Sequence, residues 1–250
     1  MIKQIIRNNI KYLIFLALFG IVGGYFTTVY TLQSIDQEII GEAVAQAGSI
    51  DVLVIVSTLQ SLGYALFMGM AGKALAIKLG LWKKLNISNE AITAIWKVCI
   101  IGGAAFILAD ALIFNNFSEV VKNSYAVKPT IEYMIASITY GGVIEEVMMR
   151  LFFMTLIAFL IKKFSKNGEL TDKILITSNV VSALLFAAGH LPSTAIMIGL
   201  TPMIVIRCFV MNGVFGLLFG RLYRKYGIHC SMIAHAGVHI VSKLIWILFI

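Results

Sequence analysis

Gly141-Gly142-Val143-Ile144-Glu145-Glu146-Val147-Met148-Met149-Arg150 sits in the middle of an apolar run, residues 131–164, that is long enough to cross a bilayer. Two adjacent carboxylates and an arginine in such a run cost roughly 2.5–3.5 kcal/mol per charge on insertion scales, which marks them as functional candidates. If the run is helical, Glu146 and Arg150 stand at i and i+4 and can form an ion pair that lowers the insertion cost of both. Glu145 then points about 100° away around the helix and is free to face another group. Two later histidines in apolar surroundings are the candidates for that group: His190, which ends Phe186-Ala187-Ala188-Gly189-His190, and His235, in Ala234-His235-Ala236-Gly237-Val238-His239.

The rest of the composition supports a membrane setting. Of 250 residues, 60% are hydrophobic and only 13% charged, with a mean hydropathy of +0.93. A water-soluble core of this size needs far more polar surface, so the chain is expected to be an all-α, polytopic transmembrane bundle of about seven spans. One membrane-embedded domain, 1–250, is expected, with amino-terminal spans in 1–128 and a catalytic core in 129–250. The net charge of +8 does not point to nucleic acid, because Lys and Arg cluster in short segments between apolar runs, where they set topology and meet anionic lipid. Cys99, Cys208 and Cys230 are odd in number and dispersed, which excludes a disulfide framework or a Cys-x-x-Cys metal site.

Basic residues also order the spans. Lys3, Arg7 and Lys11 precede a first span at about 12–32 that lacks a small-residue cleavage site, so it reads as an anchor with its amino end in the cytoplasm. The loop with Asp36, Glu38, Glu42 and Asp51 is then outside. A second span, about 52–77, returns to Lys78, Lys83 and Lys84, and a third starts at Asn89-Glu90 and runs to about 114, with Asp110 near its far interface. Pro129 suits the first turn of the fourth helix, which ends at Lys162, Lys163 and Lys166. The fifth span, about 173–190, stops at Leu191-Pro192-Ser193-Thr194. Residues near 191–203 are either a short re-entrant piece or the top of the sixth helix, which closes on Arg221, Arg224 and Lys225. The last span, 231–250, leaves the carboxyl terminus outside.

Glu145-Glu146-x-x-x-Arg150, Phe186-x-x-x-His190 and a late helix with His235 four residues before a polar residue resemble the CAAX-protease and bacteriocin-processing family of intramembrane endopeptidases. The segment from Gly216 to Gly227, ending Arg-Leu-Tyr-Arg-Lys-Tyr-Gly, is similar to that family's lead-in to its last motif. The resemblance covers about 130–240. It implies an integral protein of a bacterial plasma membrane that cleaves a membrane-associated peptide or a lipidated, for instance prenylated, protein. It further implies that Glu145 is the general base for a water, that His190 and His235 position that water, and that Glu146 and Arg150 brace the site.

Elementary chemistry arrives at similar roles. Amide hydrolysis in lipid needs a water, a base and donors for the oxyanion, and imidazoles on facing helices can hold the water and donate. One residue departs from the family pattern: where relatives typically carry asparagine, this chain has His239. His235 and His239 at i and i+4 share a helix face, a spacing that suits metal ligation. Glu145, His190, His235 and His239 therefore suit a tetrahedral zinc, although the pattern is not His-Glu-x-x-His; a metal-free, glutamate-activated water is favoured, with no cofactor.

Blander roles stand beside these. Glu146–Arg150 can be a structural pair, His190 a helix-end residue and His239 a packing residue. Arg207 is expected to pair with lipid phosphate or a helix carbonyl, and Asn212 to bond between helices. His229 with Cys230 makes a weak case for a nucleophilic pair. The rival functions are a non-catalytic scaffold, an immunity or regulatory protein, and a transporter, which would more naturally show repeat symmetry. Rise per residue poses one constraint: His235 is close to its cytoplasmic loop, while Glu145 and His190 are far from theirs. If the three are to meet, the fourth and fifth helices must project beyond the bilayer on the cytoplasmic side, leaving a recessed site open to cytoplasmic water.

Overall fold

The computed structural model describes residues 2–85, 88–165 and 167–250, with side chains from Arg7 onward. Lys166 and the Lys3 side chain, counted above among the cytoplasmic basic residues, lie outside the described residues. Every regular element described is a helix. In chain order, α1 is Ile2–Ser34, α2 Gln37–Ala47 and α3 Ile50–Lys78. Next come α4, Asn89–Phe117, and α5, Glu119–Ser124. Helix α6 is the run 131–164, assembled without a break from Ile131–Ala136, Ser137–Glu145, Val147–Met154 and Thr155–Phe164. The chain ends with α7, Asp172–Gly189, α8, Leu191–Ile198, α9, Pro202–Tyr226, and α10, Ile228–Phe249.

Six of these stretches are long and apolar enough to span a membrane: α1, α3, α4, α7 with α8, α9 and α10. Counting α6, whose charges set it apart from the others, the bundle has about seven spans. Serine, threonine and aspartate caps set the helix starts. The Ser88 hydroxyl accepts from Ala91 N at 3.2 Å and that of Thr130 from Tyr133 N at 3.2 Å, each satisfying an amide that has no partner within its helix. Pro129 thus lies just outside α6 rather than in its first turn. Pro192 does not merely end α7: it occupies the first turn of α8, where a missing N–H costs nothing. The segment left open between a re-entrant piece and the top of the sixth helix is this separate short helix, closed by Gly199 at φ 75°.

Helix α6 is the centre of the bundle. Its Val143, Ile144, Val147, Leu151 and Met154 form one core with Leu16 of α1, Ala65 and Ala76 of α3, Tyr223 of α9 and Met232 of α10. The outward faces are apolar instead: Ile14 and Leu18 of α1 and Leu59 and Phe67 of α3 are exposed, as suits a surface solvated by lipid. Through 137–154, α6 is wound wider than an α-helix, in π-type turns, a local geometry that recurs at functional sites. On the basic side of the bundle, Lys83 Nζ donates to Arg224 O at 2.9 Å and Lys225 O at 2.6 Å, satisfying carbonyls at the end of α9.

Two expectations about polar residues need correction. Arg207 pairs with the buried Asp110 rather than with lipid phosphate or a helix carbonyl: Arg207 Nε lies 2.5 Å from Asp110 Oδ1 and Nη2 2.6 Å from Oδ2. A planar guanidinium matches a carboxylate in this two-point fashion, and no isolated sequence signal linked residues so far apart. Tyr125, in the loop before α6, donates to Asp110 Oδ2 at 2.6 Å; burial, and the carboxylate beside it, push its phenol well above the usual range. Asn212 bonds within its own helix, to Cys208 O at 3.0 Å, not across helices.

Removing one partner of this pair strands the other charge. Asp110→Ala is expected to destabilise the folded protein in detergent by about 3 kcal/mol, the low end for a buried pair because the Arg207 side chain keeps 21% of its surface exposed. Asp110→Leu combined with Arg207→Met should recover most of that loss in the same unfolding measurement.

Candidate active site

Glu145 and Glu146 are adjacent in sequence and live in different environments. The Glu146 side chain has no exposed surface, whereas that of Glu145 retains 19%. Glu146 Oε1 lies 3.1 Å from Arg150 Nη1 and accepts from His235 Nδ1 at 2.9 Å. Its other oxygen accepts from the Ser231 hydroxyl, which is also 3.0 Å from Phe219 O. Arg150 is further held against aromatic faces, 4.4 Å from the Phe186 ring centroid and 5.6 Å from that of Phe219, a placement favoured by the ring quadrupole. A carboxylate removed from water is expensive unless paired and hydrogen-bonded, and here all of these contacts supply that compensation.

The same contacts aim the histidines. A carboxylate can only accept, so His235 Nδ1 carries the proton and, in the neutral ring, Nε2 is bare. That Nε2 stands 4.0 Å from Glu145 Oε2. The His235 ring is fixed in this orientation by stacking on Phe219, with centroids 4.2 Å apart and planes 21° apart. His190 is oriented by the same logic: its Nδ1 lies 2.8 Å from Phe186 O, a carbonyl that can only accept, and its Nε2 lies 3.8 Å from Glu145 Oε1. Its side chain keeps 31% of its surface exposed, the most of the three. Glu145, from α6, thus meets one imidazole from the end of α7 and one from α10.

Helix α10 reaches this level because it runs almost in backbone contact with α6. A Cβ on Gly142 would come 2.9 Å from Ala236 Cα, so only glycine allows the approach. Beside it, Gly141 leaves a gap: the point where its Cβ would stand is 3.0 Å from His239 Nε2 and 4.0 Å from Glu145 Oε2. His239 stacks on His235 with centroids 5.0 Å apart, so all six residues singled out from the sequence lie in or against one cleft. The required common level of Glu145, His190 and His235 is met. At about 1.5 Å per residue, α6 spans up to about 50 Å, longer than a hydrocarbon core of about 30 Å.

Four residues of the site were not singled out from the sequence. Ser231 is four residues before His235 and shares its face, a spacing that could have exposed it; Lys243 is four residues after His239, 3.4 Å from its Nδ1. Phe186 was visible only as the first letter of a motif, and Phe219 left no signal. The Cys230 thiol donates to Tyr226 O at 3.7 Å and His229 packs near Trp82, ring centroids 6.3 Å apart, so neither serves the other. Among the described residues, no three His, Cys, Asp or Glu side chains converge as metal ligands would.

Comparison with known proteins points the same way. The family model for type II CAAX prenyl endopeptidases, Rce1-like, matches residues 128–241, the stretch from the start of α6 to α10 that contains every cleft residue named above except Lys243. Neither the curated proteins nor the solved structures give a match. Residues 128–241, which hold the clustered side chains described above, thus match an Rce1-like domain, and the match supports placing this part of the chain with the CAAX-protease family of intramembrane proteases.

Proposed function

We propose that this membrane protein hydrolyses a peptide bond in a membrane-associated peptide or prenylated protein, using a water activated by Glu145. The observation that carries the reading is the pair of imidazole Nε2 atoms, from α7 and α10, within 4.0 Å of the one partly exposed carboxylate in the cleft. A water between these groups donates one hydrogen bond to Glu145 and one to the bare Nε2 of His235. As its oxygen attacks the scissile carbonyl carbon, its proton passes to Glu145. The carbonyl electron pair moves onto oxygen, and when the tetrahedral intermediate collapses, the C–N bond breaks and Glu145 returns the proton to the leaving amine. Glu146 does not exchange protons in this scheme; it orients His235 and balances Arg150. The basic segments around Lys78–Lys84, Lys162–Lys163 and Arg221–Lys225 favour a cytoplasmic opening, with the amino terminus on that side and the carboxyl terminus opposite.

Peptide mass spectrometry on membranes from cells expressing wild type or Glu145→Gln at matched levels tests the proposal. Cleavage products found only with wild type are expected, with a rate loss of roughly 10²–10⁴-fold for the variant, the usual worth of a positioned general base. Identical peptide pools from two folded proteins would favour the scaffold instead. Glu146→Gln should cost both activity and about 3–5 kcal/mol of stability, because Arg150 is left buried without its counter-charge. Chelator treatment should leave turnover unchanged; loss of activity that added zinc restores would replace the metal-free scheme.

A further inference from the structure

His235 and His190 both spend their Nδ1–H groups on fixed acceptors, Glu146 and Phe186 O. Each therefore presents an acceptor nitrogen to the cleft when neutral, which suits a nucleophilic water and not an oxyanion. The reaction proposed above still needs a donor where negative charge develops on the substrate oxygen. His239 is the remaining imidazole: its Nε2 lies 3.0 Å from where a Gly141 Cβ would stand, and Glu145 Oε2 lies 4.0 Å from that same point.

The tautomer of His239 is set by what faces its other nitrogen. Lys243, one turn further along α10, is buried, with 4% of its surface exposed. Its Nζ lies 3.4 Å from His239 Nδ1 and 4.1 Å from the centroid of the Tyr133 ring. A ring face at this distance favours the charged form of the amine. In its ammonium form Lys243 has three donors and no acceptor, so the nitrogen that this form faces accepts, and the proton of a neutral His239 then sits on Nε2. The result is the opposite tautomer from that of its two neighbours.

We propose that Lys243 is a positioning residue that locks His239 as the Nε2–H tautomer, so that His239 supplies the cleft's hydrogen-bond donor to the oxyanion. The proposal rests on the protease reading for the oxyanion, but not for the tautomer. Lys243 touches no reacting atom; it acts only through the ring. A side-chain amide at position 239 always carries a donor and needs no such lock.

The tautomer is read directly by nitrogen NMR of the full-length protein in detergent or lipid, labelled at histidine, with the His239 signal assigned by its loss in His239→Asn. Wild type should show His239 protonated at Nε2 and bare at Nδ1, and Lys243→Met should shift the proton to Nδ1 or give a mixture. A wild-type ring protonated at Nδ1, or one unchanged in Lys243→Met, overturns the proposal whether or not the protein is a protease.

The catalytic consequence is read in the membrane cleavage assay. Lys243→Met should lower kcat by roughly 10–100-fold with KM nearly unchanged, the scale of a lost or misdirected donor. In a His239→Asn background, adding Lys243→Met should change kcat by less than about twofold, since an amide donor has no tautomer to fix. Equal losses from Lys243→Met in both backgrounds would mean that the lysine only supports packing, and would overturn the role assigned to it. Absence of cleavage by wild type would instead count against the protease reading, leaving the NMR result to decide the tautomer.

Discussion

The carboxylate of Glu146 is the contact on which the rest of the cleft depends. It has no exposed surface, and an ion in that position costs several kcal/mol unless its neighbours replace water. The neighbours that do so come from one turn along its own helix and from α10: Arg150, Ser231 and His235. Arg150 in turn sits between the rings of Phe186 on α7 and Phe219 on α9. One buried charge thereby fixes the relative level and rotation of four helices. Electrostatic specificity of this kind is worth more in lipid than hydrophobic attraction, which cannot distinguish helix from acyl chain.

The amino-terminal helices contribute differently. Among the described side chains, α1 to α3 place no charged group beside Glu145 or Glu146; their apolar faces pack on α6 through Leu16, Ala65 and Ala76 and turn Ile14, Leu18, Leu59 and Phe67 outward. They act as a sleeve along one side of the stretch of α6 that carries Glu145 and Glu146. This division of labour accounts for a chemical signature concentrated between α6 and α10 and nearly silent before it. The Asp110–Arg207 pair is the exception, tying α4 of the early half to α9.

Much of this was legible in the sequence, for identifiable reasons. The span order followed from hydropathy and basic loops, and Glu145, His190 and His235 stood out because polar groups are costly in lipid and therefore conspicuous. Partnership across helices was harder to see. Glu146 was read as a partner for Arg150 because i, i+4 spacing is local, but its bond to His235 joins residues 89 positions apart and has no local periodicity. Arg207 reads as a partner for lipid phosphate or a helix carbonyl for the same reason: nothing near it in sequence is acidic, and its partner lies 97 residues away. The wide winding of α6 was equally invisible, since apolar side chains of this kind fit an α-helix as readily. Pro192 misled in the other direction, because a proline that ends one helix and a proline that begins the next look alike in sequence.

The glycine at 142 makes the two sides of the cleft mechanically unequal. With α6 and α10 separated only by the width of backbone atoms, and with Glu146 bonded across that seam, neither helix can shift without breaking contacts that are costly to lose. The opposite side is closed by the end of α7 and by α8, which has no buried residue of its own, and there His190 is already partly exposed. Elements with few buried contacts open at little free-energy cost. Of the two imidazoles beside Glu145, His235 therefore sits with it on the tightly packed side, and His190 on the side held by fewer buried contacts.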